Sequence, residues 1–226
     1  MSAAAEKFKK STVPGLILAL AKVRAPAKAA AALRRLTGRR GLIEVFVAFD
    51  DPSSALAIVE LDRRLARRKV DLVVRPVLNR DLAGDPAIEA KRAYAVTDTQ
   101  RLARRYDLAL ARTEPLPGNE LAFLGEWVAA CQPADGTRFA IAAANRIWFQ
   151  PEASIDRAAM AELFTQTVGG PPPGSGSEAV RANEKIAKRK LVYTVPMASV
   201  HGRLFFAHER LDQIGEELDL LGWKAR

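Results

Sequence analysis

The sequence has one cysteine, Cys131, in 226 residues. No disulfide within the chain, no CxxC redox pair and no multi-cysteine zinc site can be built from it. A dithiol oxidoreductase is therefore excluded, and the low cysteine content fits a reducing compartment. Histidine is almost as scarce: His201 and His208 are the two. Turn and cap positions account for both, and neither has partners at metal-ligand spacing, so no metal site is expected. Acidic residues are nearly missing from residues 1–40, where Glu6 stands alone against ten basic residues. That segment carries the whole formal charge of +9, and the other 186 residues balance 25 basic against 25 acidic groups. The body thus lacks the basic excess needed to track phosphates, and the arm lacks interleaved stacking aromatics, so nucleic acid is not an expected partner. Long apolar runs are missing too. The stretch Val13 to Ala21 falls well short of the ~20 residues that span a bilayer. Lys22 and Arg24 follow it where an export signal has a neutral cleavage region, so a cytoplasmic location is expected.

What is present describes a globular chain. Hydrophobic residues make up 49% and charged residues 27%, enough to bury a core. Residues 1–40 read as a basic helical N-terminal arm, with pieces at about 14–24 and 27–37 divided by Pro26. Leu16, Leu20 and Val23 share one face by spacing, as do Leu33 and Leu36. Such an arm packs on the body or on a second subunit of a homodimer, while its basic amphipathic character also suits peripheral contact with an anionic membrane surface.

A strand is expected at 42–49, a helix at 53–68 and a second strand from Val70 to Pro76. This β–α–β unit implies two parallel strands. Helical patterns fill Ile88 to Arg105, Asn119 to Cys131, Thr137 to Trp148, Ile155 to Val168 and Glu178 to Arg189. Strand character returns at Leu191–Tyr193, Met197–Val200 and Arg203–Phe206, with a turn at His201-Gly202. A last helix covers about 208–221. The strands at the two ends meet in one sheet, since neither set covers its faces alone. The reading is an α/β, thioredoxin-like fold with a large helical insertion: residues 41–80 and 190–226 form the thioredoxin-like domain and 81–189 the insertion.

The junction Phe49-Asp50-Asp51-Pro52-Ser53-Ser54 is the most informative local feature. A β-branched and aromatic run stops there and a helix begins, with Asp51 at the N-cap and Pro52 at the first helical position. A strand feeding a helix start leaves backbone N–H groups and a positive dipole end in a pocket, a common place for anions and nucleophiles. Here the place holds a carboxylate.

Four places together resemble the DsbA-like branch of thioredoxin folds, in particular 2-hydroxychromene-2-carboxylate isomerases and kappa-class glutathione transferases. They are Phe49 to Ala57; Lys91, Tyr94, Asp98, Arg101 and Ala103; Pro117-Gly118-Asn119; and Thr194-Val195-Pro196 with Phe206-Ala207-His208-Glu209-Arg210-Leu211. The resemblance covers roughly 42–222. It implies glutathione as cofactor at the first helix N-terminus, where the family's serine contacts the sulfur and this chain has Asp51. It implies a cis Val195-Pro196 pair holding the peptide backbone of glutathione, Glu209 and Arg210 receiving the γ-glutamyl end, and Lys91 facing the site. Asn119 joins by its motif, and Ser54 is the better match of the two turn serines.

Asp51 and Ser54 are accordingly the candidate catalytic residues, and Lys91, Asn119, Val195, Pro196, Glu209 and Arg210 the candidate ligand-binding ones. A serine hydroxyl donates to a thiolate; an ionised carboxylate only accepts and raises a neighbouring thiol's pKa. The expected function is that of a glutathione-linked isomerase or transferase relative acting on a small substrate that can be aromatic. The alternative is a non-catalytic thioredoxin-fold binding module held to a membrane or partner by its arm. Cys131, near Trp127 in an apolar helix, reads as a buried small residue.

Overall fold

A computed structural model describes residues 25–78, 86–116, 120–150 and 153–225. The elements are α1 (Ala25–Leu36), β1 (Gly41–Val47), α2 (Pro52–Leu65), β2 (Val70–Pro76), α3 (Ile88–Ala103), α4 (Ala122–Ala130), α5 (Pro133–Trp148), α6 (Arg157–Val168), α7 (Ser177–Arg189), β3 (Met197–Val200), β4 (Arg203–Phe206) and α8 (Leu211–Leu220). The expected helical piece at 14–24 and the ligand candidate Asn119 lie outside the described residues.

Strand order in the sheet is β2-β1-β3-β4. β1 runs parallel to β2, with Val45 beside Val74, and antiparallel to β3, with Val45 beside Ala198. β3 and β4 form a hairpin whose turn, His201-Gly202, has φ of 47° and 88°; two positive φ values are what a two-residue turn of this hand requires. β1 is buried along nearly its whole length, as a strand covered on both faces must be. Ile43, Val45 and Val47 face the main core, which runs continuously through α2, α5 and α8. Phe46 faces a small second cluster with Val77 and Ala187. The insertion is tied to the sheet by Trp148, fully buried, whose indole N–H donates to the Phe49 carbonyl at 3.0 Å.

Glu44 interrupts the apolar run of β1. It is buried and held by Arg75 of β2 at 2.6 Å and Lys190 at 2.6 Å. Burial pushes its carboxyl up, but the hydrogen bonds from Lys190 and Arg75 outweigh this and hold it below its ordinary range.

One expectation differs from the fold. Leu191–Tyr193 is not a strand. Leu191 has φ 60° and the Val192 N–H returns to the Ala187 carbonyl at 2.9 Å, so the backbone groups that a ladder would use close the C-terminus of α7 instead. Pro26 sits in the first turn of α1, where a missing N–H costs no helix bond; the piece it was expected to divide from α1 lies outside the described residues.

Candidate functional site

Asp51 caps α2 as its sequence position implies. Its backbone is extended (φ −106°, ψ 114°), and its side chain accepts from the amides of Ser53 and Ser54, the latter at 2.9 Å. The same Oδ2 takes the Ser54 hydroxyl at 2.6 Å, while Ser54 Oγ accepts from the Ala48 amide at 3.2 Å. Ser54 is therefore a buried brace between β1 and the cap, 1% exposed, and does not line the cavity beside Asp51. Ser53 braces too: its hydroxyl lies 2.8 Å from that of Thr99, fixing α3 against the start of α2.

That brace builds a cavity of about 200 Å³ between three segments. The β1–α2 junction supplies Asp50, Asp51 and Pro52; α3 supplies Lys91, Arg92 and Ala95; the strand approach supplies Thr194 and Val195. The Val195-Pro196 peptide bond is cis. The cavity continues as an open groove past Tyr94 and Asp98 of α3 to His208. Asp51, Lys91 and Val195 are thus brought together. Pro196 lies behind Val195, buried. Glu209 and Arg210 are exposed at the start of α8 and line neither space; the cap candidate nearest Asp51 is His208.

Two buried polar atoms at this site lack hydrogen-bond partners among the described residues: Arg92 Nε and His208 Nδ1. A ligand that supplied acceptors would satisfy both. Lys91 and Arg92 place two cations, and Asp50, Asp51 and Asp98 three carboxylates, around one opening. A second cavity, about 360 Å³, lies across Thr194 and Val195 and is floored by Val77 and Val192 with Lys185 and Lys188 at its edge. Among the described residues no group of three or more His, Cys, Asp or Glu could hold a metal. Cys131 stands at the end of α4, where burial first and Asp135 second push its thiol up, so it offers no thiolate.

No protein-family model and no curated protein matches the chain. Solved structures do. A 2-hydroxychromene-2-carboxylate isomerase superposes with a TM-score of 0.66 at 17% identity, covering 80% of this chain and 95% of that one. A probable DsbA oxidoreductase from Streptomyces coelicolor gives 0.60 at 16%, covering 80% and 89%. The fold is DsbA-like. In this DsbA-like frame the cavity at the first helix N-terminus is framed by Asp51, without the cysteine pair a dithiol oxidoreductase uses.

Of the site, sequence reasoning missed Arg92 and His208. Arg92 follows Lys91 by one position, about 100° round α3 from the face of Lys91, Tyr94 and Asp98, so the spacing of that face does not single it out. His208 stands in the motif before the last helix, but its approach to the cavity depends on the long return of the chain to the sheet.

Proposed function

We propose that the Asp51 cavity binds glutathione or a similar γ-glutamyl thiol, and that the protein is a glutathione-linked isomerase or transferase relative. The observation that carries this is the convergence of Asp51, Lys91 and Val195 on one cavity at the N-terminus of α2. Glutathione has two carboxylates, one ammonium group and an extended peptide. Lys91 and Arg92 suit the carboxylates, Asp50 and Asp98 the ammonium, and the backbone at Val195 the peptide. The cavity across Val195 has room for a small apolar anion beside the thiol. The likeness to a 2-hydroxychromene-2-carboxylate isomerase supports the isomerase half of the reading.

A non-catalytic binding module is the second reading, and one observation favours it. The Asp51 oxygens already accept from Ser53 and Ser54, and a carboxylate cannot donate to a thiolate.

Calorimetric titration with glutathione tests the binding claim of the first reading. Millimolar or tighter binding, weakened about ten-fold by Lys91→Ala, is expected from loss of one charge-assisted bond. No heat at millimolar ligand would overturn it. Turnover of a chromene carboxylate in the presence of glutathione then separates enzyme from module.

A further inference from the structure

We infer that the end of the molecule opposite the Asp51 cavity is a docking face for an anionic membrane surface. Helix α2 runs from one end to the other. Asp51 caps its start, and Arg67 and Arg68 follow its 14 residues, which span about 20 Å.

Three chain segments meet at that far end. Arg34 donates to the Arg40 carbonyl, and Arg40 to the carbonyls of Arg68 and Val70. Arg68 donates to the Trp223 carbonyl, and the Arg35 guanidinium lies over the Trp223 ring at 5.5 Å. Two carboxylates at this end are already taken: Asp71 pairs with Arg40 and Asp219 with Arg68. Arg34, Arg35, Arg39, Arg67, Lys69 and Lys224 form no ion pair among the described residues. The end is strongly basic after its internal pairs are counted.

Beside these charges α1 turns an apolar stripe outward. Its packed side is made by Ala27 and Ala31, at 7% and 0% exposure. Leu33 and Leu36 lie on the opposite side, at 63% and 85%. At 100° per residue, Ala29 and Ala32 fall in the same outer stripe. The leucines are in water while alanines are buried, so the pattern serves something outside the fold.

Leucines rimmed by arginines are what an interfacial helix uses: the apolar side chains enter the acyl boundary and the cations meet lipid phosphates. Single-stranded nucleic acid calls for exposed stacking rings, and Trp223, stacked against His201 at this end, is 4% exposed. A second copy would oppose arginines to arginines across an isologous contact. Docked this way, the protein holds the Asp51 cavity toward water.

The test is co-sedimentation of the full chain with vesicles of phosphatidylcholine alone and of phosphatidylcholine mixed with phosphatidylglycerol. Binding to the anionic vesicles only, falling as salt rises, is expected. Replacing Arg39 and Arg67 together by glutamine should lower the partition coefficient about 25-fold, about five-fold per charge. Leu33→Asp with Leu36→Asp should lower it about ten-fold or more. All four are exposed, and far-ultraviolet circular dichroism checks that the variants fold. The inference is overturned if binding ignores lipid charge or if both variants bind like the parent. It is equally overturned if sedimentation velocity shows a dimer that the leucine variant loses, or if an oligonucleotide binds this end regardless of the leucines.

Discussion

Asp51 has an observed duty as a cap and a proposed one beside a thiol, and one substitution can separate them. As a cap it satisfies the amides of Ser53 and Ser54, and its Oδ2 also receives the buried Ser54 hydroxyl. Asp51→Ala should cost about 1–2 kcal/mol, from the lost cap and an orphaned hydroxyl. Asp51→Ser keeps a capping oxygen and should cost no more than a few tenths of a kcal/mol; urea unfolding of the two variants checks the order. The serine also removes a negative charge from beside the proposed thiol and adds a donor. Ultraviolet thiolate absorbance of bound glutathione should therefore rise at neutral pH in Asp51→Ser. If it does not change, Asp51 is a cap and nothing more. His208 makes a complementary case. Its Nδ1 is buried without a partner, while its Nε2 lies 3.7 Å from Glu209. His208→Gln should leave the unfolding midpoint near its parent value and weaken glutathione binding about two- to twelve-fold, the range of one hydrogen bond of about 0.5–1.5 kcal/mol. Unaltered affinity would take His208 out of the site.

At the level of elements, the Glu44 cluster decides how α7 sits on the sheet. Glu44 of β1 binds Arg75 of β2 and Lys190 at the end of α7, and Arg75 also reaches Asn183 of α7 at 3.1 Å. The side chains of Arg75 and Lys190 are 26% and 33% exposed, so solvent softens the loss when the acid goes. Glu44→Gln should cost about 2 kcal/mol, below the roughly 3–5 kcal/mol of a fully buried pair, read from chemical unfolding; a change under half a kcal/mol would show that water screens the cluster. None of this was legible beforehand, because alternation places Glu44 on a face without saying that a helix 140 residues later covers it. What local pattern determines was legible. β1, α2 and β2 followed from a β-branched run, a cap with proline and a second short run, and the His201-Gly202 turn from its residues. Leu191–Tyr193 misled because a β-prone tripeptide after a helix without a glycine cap can supply the cap itself, with Leu191 taking the left-handed conformation. The candidate cavity was legible to the same depth: Asp51, Lys91 and Val195, which line it, sit in or beside motifs, whereas Glu209 and Arg210, next to His208 in the last motif, do not line it.

For the whole molecule, acid titrates half-buried His201 and buried Glu44, and they respond in different windows. His201 stacks on Trp223 with ring centroids 4.8 Å apart, tying the β3–β4 turn to the chain's end. Burial, and then the charge of Arg34, lowers its pKa below 6.5, with Glu217 opposing. The unfolded chain therefore takes the proton first, so stability is full above about pH 7 and falls as pH drops through 6.5 toward the lower folded value. Glu44 is held below 4.5; its contribution is full above about that pH and is lost as pH falls through its folded pKa. Acid should accordingly act in two steps, histidine first and carboxylate second. Urea midpoints measured from about pH 8 to pH 4 should show the first step, and His201→Gln should remove it while leaving the second. His208 is the other histidine of the chain, so His208→Gln is the matching control. If the step near neutrality survives His201→Gln and vanishes in His208→Gln, the pH response belongs to the cavity end of the protein and the stacked turn at the basic end is silent.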